Sequence, residues 1–244
     1  MKLSDLAANV LQQRSTPDLI ADTLREAILR GIFQPGQSLR QDEIAVQFGV
    51  SRIPIREALR QLEAEGLVTL HLNRGATVSV LSAAEIQELC EIRTALETTA
   101  LQLAIPQLTE SDLEKATVLL EATNQTADAG LWVKLNWEFH ATLYTPAARP
   151  RLLTMLKTLH VNIDRYVRLQ MEKMNYLEHS QKEHYQLLAA CRQQDAQAAV
   201  MILERHINAV REKLVEHLQQ NVPGKGKSNE HVVSCRRLIE TSHQ

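Results

Sequence analysis

A chain of 244 residues, 44% hydrophobic and 23% charged, has the make-up of a globular protein and excludes disorder as its default state. Aromatic residues make up only 4% of the chain and glycines number only 8; with abundant Leu, Ala, Glu and Gln, this favours helices over a large sheet. The formal net charge of −2 lacks the basic excess of a nucleic-acid binder, so a DNA-binding reading must rest on local pattern.

Residues 1–15 are short and polar-punctuated, the mark of a flexible arm. Thr16 and Pro17 predict a helix start, with Thr16 as cap and Pro17 in the first turn, where its missing N–H does no harm. Ile20, Leu24, Ala27 and Ile28 follow at helical spacing and Gly31 closes the segment. After Gln34-Pro35-Gly36-Gln37, a helix of about two turns carries Ile44, Ala45 and Phe48, and Gly49 supplies the left-handed exit. Ser51 caps a third helix with the apolar stripe Ile55, Ala58, Leu59, Leu62, ending near Gly66; Pro54 falls in its first turn. Two helices joined by a glycine turn make a helix-turn-helix. Val68–Leu72 and Ala76–Val80, around Asn73-Arg74-Gly75, predict a β-hairpin that can serve as a wing.

From Ser82 onward the pattern is helical throughout, with helices predicted over 82–104, 109–128, 130–145, 149–173, 180–192 and 195–219. Capping boxes are expected at Ser82/Glu85 and Ser180/Glu183, a similar pair at Thr109/Asp112, and a cap at Asp195. The expected class is therefore mainly α: a winged helix-turn-helix over 16–80, an all-helical antiparallel bundle over 82–219, and a flexible tail over 220–244. Cys90, Cys191 and Cys235 form no CxxC pair, and an odd number fits a reducing cytoplasm better than a disulfide framework. No apolar run approaches about 18 residues and no signal-like core opens the chain, so neither a membrane span nor secretion is expected.

On the third helix Arg52, Arg56 and Arg60 stand at i, i+4 and i+8, one ridge opposite the apolar stripe. Such a ridge can enter a major groove, where guanidinium suits both phosphate and the guanine edge, Ile53 can touch a thymine methyl, and Ser51 can bind phosphate beside open backbone N–H groups. The alternative is a solvated face on which the arginines pair with Glu57 and Glu63. The order cap, turn, helix, hairpin favours the DNA reading.

The stretches Gly31–Gly36, Gly49–Leu59 and Glu65–Val68 resemble the GntR superfamily of bacterial repressors. The resemblance implies DNA contacts by Ser51, Arg52, Ile53, Pro54 and Arg56, with Arg74 and Gly75 at the wing tip. Asp42 stands where some relatives have a DNA-reading arginine, and Ile53 replaces a more usual threonine, so no operator sequence carries over. The helical half, over about residues 82–219, resembles the FCD domain of the FadR-like branch. Arg93-Thr94-Ala95-Leu96-Glu97 matches its opening helix, and Asn136 with Phe139-His140, Glu183-His184, and His206 match its metal-ligand places. Asn136 and His140 lie at i and i+4 on one helix face, and His184 and His206 share apolar stripes. Three imidazoles and one oxygen suit zinc or nickel, although the neutral Asn136 replaces the family's aspartate.

Arg93 is the candidate grip for an anionic effector, the competing reading being an intrahelical pair with Glu97. His71, His160, His179, His217, His231 and His243 are expected to be ordinary core or surface residues. The function implied is a homodimeric repressor on a pseudo-palindromic DNA operator, modulated by a small organic acid. A metal-dependent hydrolase is the rival from another class, but no HExxH-like motif places a general base beside the histidines. A DNA-binding protein whose helical half only dimerises is the third.

Overall fold

The structure is a computed structural model that describes residues 15–71, 75–171 and 176–220. The expected arm up to residue 14, the wing residue Arg74, Cys235 and the tail beyond 220 lie outside the described residues.

The N-terminal half runs α1 (Thr16–Leu29), β1 (Ser38–Leu39), α2 (Gln41–Phe48), α3 (Arg52–Ala64), β2 (Val68–His71) and β3 (Gly75–Val78). The α1 cap is Ser15, one residue before the expected Thr16. Ser15 Oγ accepts from the Asp18 N–H at 3.4 Å while Asp18 accepts from the Ser15 N–H at 3.2 Å, a reciprocal pair that needs the carboxylate three residues on. Ile20, Leu24 and Ile28 of α1 meet Ile55, Leu59 and Leu62 of α3 in a core closed by Leu39, Leu67 and Val78. Gly49 ends α2 at φ +65, in the left-handed region that an L side chain enters at a cost.

The hairpin gains a third strand that the sequence did not reveal: the sheet order is β1-β3-β2, antiparallel throughout. Two residues are too few to show alternation. Pairing with β3, extended by Gly36 N–H to Val78 O and Val78 N–H to Gln37 O at 2.9 Å each, makes them a strand and buries Leu39.

The helical half comprises α4 (Ala83–Ala104), α5 (Glu110–Gln125), α6 (Ala129–Tyr144), α7 (Pro150–Met171), α8 (Tyr176–Arg192) and α9 (Ala196–Gln220). Its core is built from α4 to α9 around Leu101, Phe139, Leu143, Leu156, Leu187 and Leu203. The capping boxes at Ser82/Glu85 and Thr109/Asp112 form as expected, and Asp195 accepts from the Ala198 N–H. The Ser180/Glu183 box does not form. α8 already starts at Tyr176, Ser180 is buried inside it, and Glu183 turns to α9 instead. No helix among the described residues is long and apolar enough to cross a membrane.

α7 belongs to both halves. Val161 packs against the N-terminal core, Tyr166 Oη accepts from the Leu81 N–H at 2.6 Å, and Arg168 donates to Leu29 O at 3.2 Å. Gly66, at φ +76, lies so close that an added Cβ would sit 2.6 Å from Asn162 Oδ1.

Candidate DNA-reading face and buried histidine site

α3 hides Ile55, Ala58, Leu59 and Leu62 and turns the rest of its surface outward. Ile53 is 62% exposed, on the same outward surface of α3 as the arginines. Arg56 and Arg60 are exposed, and among the described residues neither has an ion-pair partner. The acids that could have claimed them are engaged or apart. Glu65 grips Arg25 of α1 through two hydrogen bonds of 2.6 Å, and Glu63 accepts from the Leu70 N–H at 3.0 Å.

Arg52 differs from its neighbours on the ridge, for it pairs with Asp42 of α2. Ser51 holds the N-cap position in an extended conformation, but its side chain makes no capping hydrogen bond. Ser51 thus stands at the expected cap position without closing it, which leaves its hydroxyl open, as an anion site requires. Pro54 is half-buried in the first turn. Gly75, at φ +83, abuts Leu39 O, which an added Cβ would meet at 3.6 Å.

The second cluster is buried. His140 on α6, His184 on α8 and His206 on α9 bring their ring nitrogens within 4.8 Å of one another. Every one of these rings has its Nδ1 tied down. His140 Nδ1 lies 3.2 Å from Tyr144 Oη, and that hydroxyl spends its own proton on Glu97 Oε2 at 2.7 Å, so it can only accept from the ring. His184 Nδ1 meets Gln181 Oε1 at 2.8 Å, the Gln181 amide nitrogen donating to Asn124 at 2.8 Å. His206 Nδ1 donates to Glu183 Oε2 at 3.0 Å, and Arg205 steadies the same carboxylate at 3.1 Å.

Burial pushes His140 and His184 well below the ordinary imidazole range, so both rings are neutral. A neutral ring that donates through Nδ1 presents a lone pair at Nε2. His184 Nε2 and His206 Nε2 lie 3.3 Å apart, while His140 Nε2 and Asn136 Oδ1 are buried with no hydrogen-bond partner. Buried acceptors left unpaired are costly. Inward ring nitrogens on three imidazoles, each ring oriented by a second group, are the kind of donor set that a transition-metal ion takes. The residues present fit such an ion, with Asn136, which borders the same cavity as His206, as the oxygen donor.

Arg93 and Glu97 of α4 lie beside this cluster, 4% and 0% exposed. Arg93 Nε donates to Glu97 at 2.6 Å, the intrahelical pair that competed with the anion-grip reading. Burial pushes the Glu97 carboxyl up, but Arg93 and then His160 outweigh it and hold it well below the usual carboxylate range. His160 Nε2 lies 3.1 Å from both Glu97 Oε1 and Arg93 Nη2. It can donate to the first or accept from the second, not both. The cavity that Arg93, Asn136, His160, Asp164, Ser180 and His206 border is about 20 Å³, close to a single water.

Sequence reasoning located Asn136, His140, His184, His206 and Arg93 but missed Tyr144, Gln181 and Glu183, which orient the rings. Tyr144 stands four residues after His140 on the same helix face, a signal that was there to be used. Glu183 stands where the sequence pattern also fits a local capping box, and Gln181 carries no sequence signal.

Residues 17–78 match the family described as bacterial regulatory proteins, gntR family, and residues 88–209 match the FCD domain. The chain is 31% identical over 217 residues to an uncharacterized HTH-type transcriptional regulator, YdhC, of Bacillus subtilis (strain 168), covering 84% of this chain and 92% of that protein. It is 27% identical over 229 residues to the gluconate operon transcriptional repressor of Bacillus licheniformis, covering 90% and 94% of the two chains. Among solved structures, E. coli McbR/YncC superposes with a TM-score of 0.74 at 25% identity, over 84% of this chain and all of that one.

Proposed function

The chain belongs to the GntR family of bacterial regulatory proteins and carries an FCD domain, and from that premise we propose that it is a cytoplasmic, homodimeric repressor whose hold on DNA is set by an organic acid in the helical half. The family is one of DNA-binding transcription regulators. Two recognition helices of a dimer reach successive major grooves of a pseudo-palindromic operator. In each, Arg56 and Arg52 meet guanine edges or phosphates, Ser51 and the open N–H groups meet a phosphate, and Ile53 with Pro54 offers apolar contact to bases. Arg74 and Gly75 follow the backbone from the wing.

The observation that carries the sensing role is the convergence of the His140, His184 and His206 ring nitrogens, each imidazole oriented from behind, with Asn136 Oδ1 buried and without a hydrogen-bond partner on the cavity that His206 also lines. These four residues would hold a zinc- or nickel-like divalent ion, which supplies a Lewis acid for a carboxylate oxygen. Arg93 takes the other end of the anion through Nη1, which has no hydrogen bond among the described residues. Because the cavity as it stands has room only for a water, effector entry requires the helices around it to part, and in this reading α7, which supplies the most lining residues, shifts outward. α7 also carries Val161, Asn162, Tyr166 and Arg168 against the N-terminal half, so that shift moves the DNA-binding half. Effector and operator are then reciprocally coupled, by about 1–3 kcal/mol. A relative named for the gluconate operon supports a sugar acid as the effector class.

Fluorescence anisotropy of the full chain on the DNA upstream of its own gene tests this, repeated across salt concentrations and with a panel of sugar and dicarboxylic acids plus zinc or nickel. Expected is salt-sensitive, sequence-preferring binding that one acid weakens only when metal is present. Equal binding to unrelated DNA would overturn the proposal. One observation favours a second reading, a constitutive repressor whose helical half only dimerises: the Arg93–Glu97 pair is already closed. An acid panel that leaves both melting temperature and operator affinity unmoved selects it.

A further inference from the structure

We propose that the cleft between the two halves is a second ligand site, separate from the histidine cluster, for a small zwitterion whose ammonium group rests against Asp164 and whose carboxylate faces Lys157. The cleft measures about 350 Å³, within the range of small-molecule sites. α1 forms one wall and α6 and α7 the others. Leu29, Leu131, Trp137 and Val161 give it apolar sides, so a hydrocarbon spacer would lose water there.

Its charges are sorted by depth. At the mouth, Arg30 is bound to Glu26 at 2.5 Å, Lys134 lies 3.8 Å from Glu138, and Arg168 donates to Leu29 O beside Asp128. Lys157 has no hydrogen bond or ion pair among the described residues. At the floor stands Asp164, 9% exposed, which likewise accepts no hydrogen bond and forms no ion pair among them. Burial pushes its carboxyl up to about 8, Arg93 pulling the other way. Arg93 lies near enough for its charge to act on Asp164 but makes no hydrogen bond or ion pair with it, its Nε and Nη2 being turned to Glu97 and His160.

A carboxyl that burial holds mostly protonated regains its charge when a cation comes within reach, and this one opens into a cavity large enough to admit one. An ammonium is the complementary group, with three donors in a compact head. Lys157 and Asp164 are seven residues apart on one face of α7, about 10 Å along its axis. With the reach of the lysine stem, a spacer of about five carbons joins the two charges. A molecule so placed touches α1 and α7 at once, and so holds the halves in one pose.

Isothermal titration of the full chain with 6-aminohexanoate, hexylamine and hexanoate, with and without zinc, tests the assignment. Expected is saturable binding of 6-aminohexanoate irrespective of zinc, with hexanoate at least tenfold weaker. Asp164→Asn should cut 6-aminohexanoate affinity at least tenfold, Lys157→Ala a few-fold, and Leu131→Trp, which fills the mouth from an exposed position without touching the core, should abolish it. Hexanoate binding as tightly as the zwitterion, no saturable binding of any of the three, or unchanged affinity in both Asp164→Asn and Leu131→Trp would overturn it.

Discussion

The two halves of the chain treat charge in opposite ways. On α3, Arg56 and Arg60 stand in solvent, and the Arg52–Asp42 pair keeps its side chains 72% and 63% exposed. In the helical half Arg93, Glu97, His140, His160, His184 and His206 are all buried. Exposed arginines cost the fold little and remain ready for an external polyanion, whose counterions they displace. Buried polar groups must be satisfied or they destabilise the fold. Hence the surface site shows itself by charges that have no partner, and the buried site by partners that account for every atom except the few left for a ligand.

The sharpest way to break this contrast is to delete a buried ligand. His184→Ala should take bound zinc from about one ion per chain to background in elemental analysis while operator binding without effector persists. A pH titration of the metal-free protein comes next. Burial holds His140 and His184 in the folded state well below the ordinary imidazole pKa of about 6.5, so the unfolded chain takes up protons that the folded one refuses. Stability is full above about 6.5 and is lost as pH falls below it, by about 1.4 kcal/mol per pH unit for each ring. Urea midpoints between pH 7 and 5 should show that slope, and added zinc should steepen the loss, because protons and metal compete for Nε2. A flat profile would mean the rings are solvated.

Smaller effects refine the comparison. Glu183→Gln keeps the shape but weakens the hold on His206 Nδ1, so zinc affinity should drop about 10–100-fold, read by competition with a chelator. Arg56→Ala should cost about 1–3 kcal/mol of operator binding and lower the salt slope by about one, with metal content and melting temperature unchanged. Asp42→Ala releases Arg52 from an exposed pair, so stability should move by less than about 1 kcal/mol. Operator affinity should rise a few-fold in the same anisotropy assay. Weaker operator binding would show instead that Asp42 holds Arg52 in its reading position.

Much of this is legible in the sequence. Gly49, Ser51 and the Ile55–Leu62 stripe determine a turn, a helix start and a buried face through interactions spanning a few residues, and the arginine ridge follows from the 3.6-residue repeat. The spacing of Asn136 and His140 likewise puts both on one side of α6. Local signals failed where two answers were locally equal. Glu183 could cap α8 or bind His206, and the longer α8 with its buried Ser180 settles the choice. Ser38 and Leu39 have no strand signal without β3.

By itself, then, the sequence determined the helices, the turn between α2 and α3, and which side chains stand on the exposed ridge of α3, because chirality, hydrogen-bond spacing and side-chain periodicity act between near neighbours. Tertiary packing alone decided that His184 and His206, 22 positions apart, share one point, that Tyr144 and Glu183 orient their rings, and that Asp164 is left without a donor between two cavities. Such contacts depend on how six helices stack, and stacking is set by the burial of whole apolar faces rather than by any short stretch of chain.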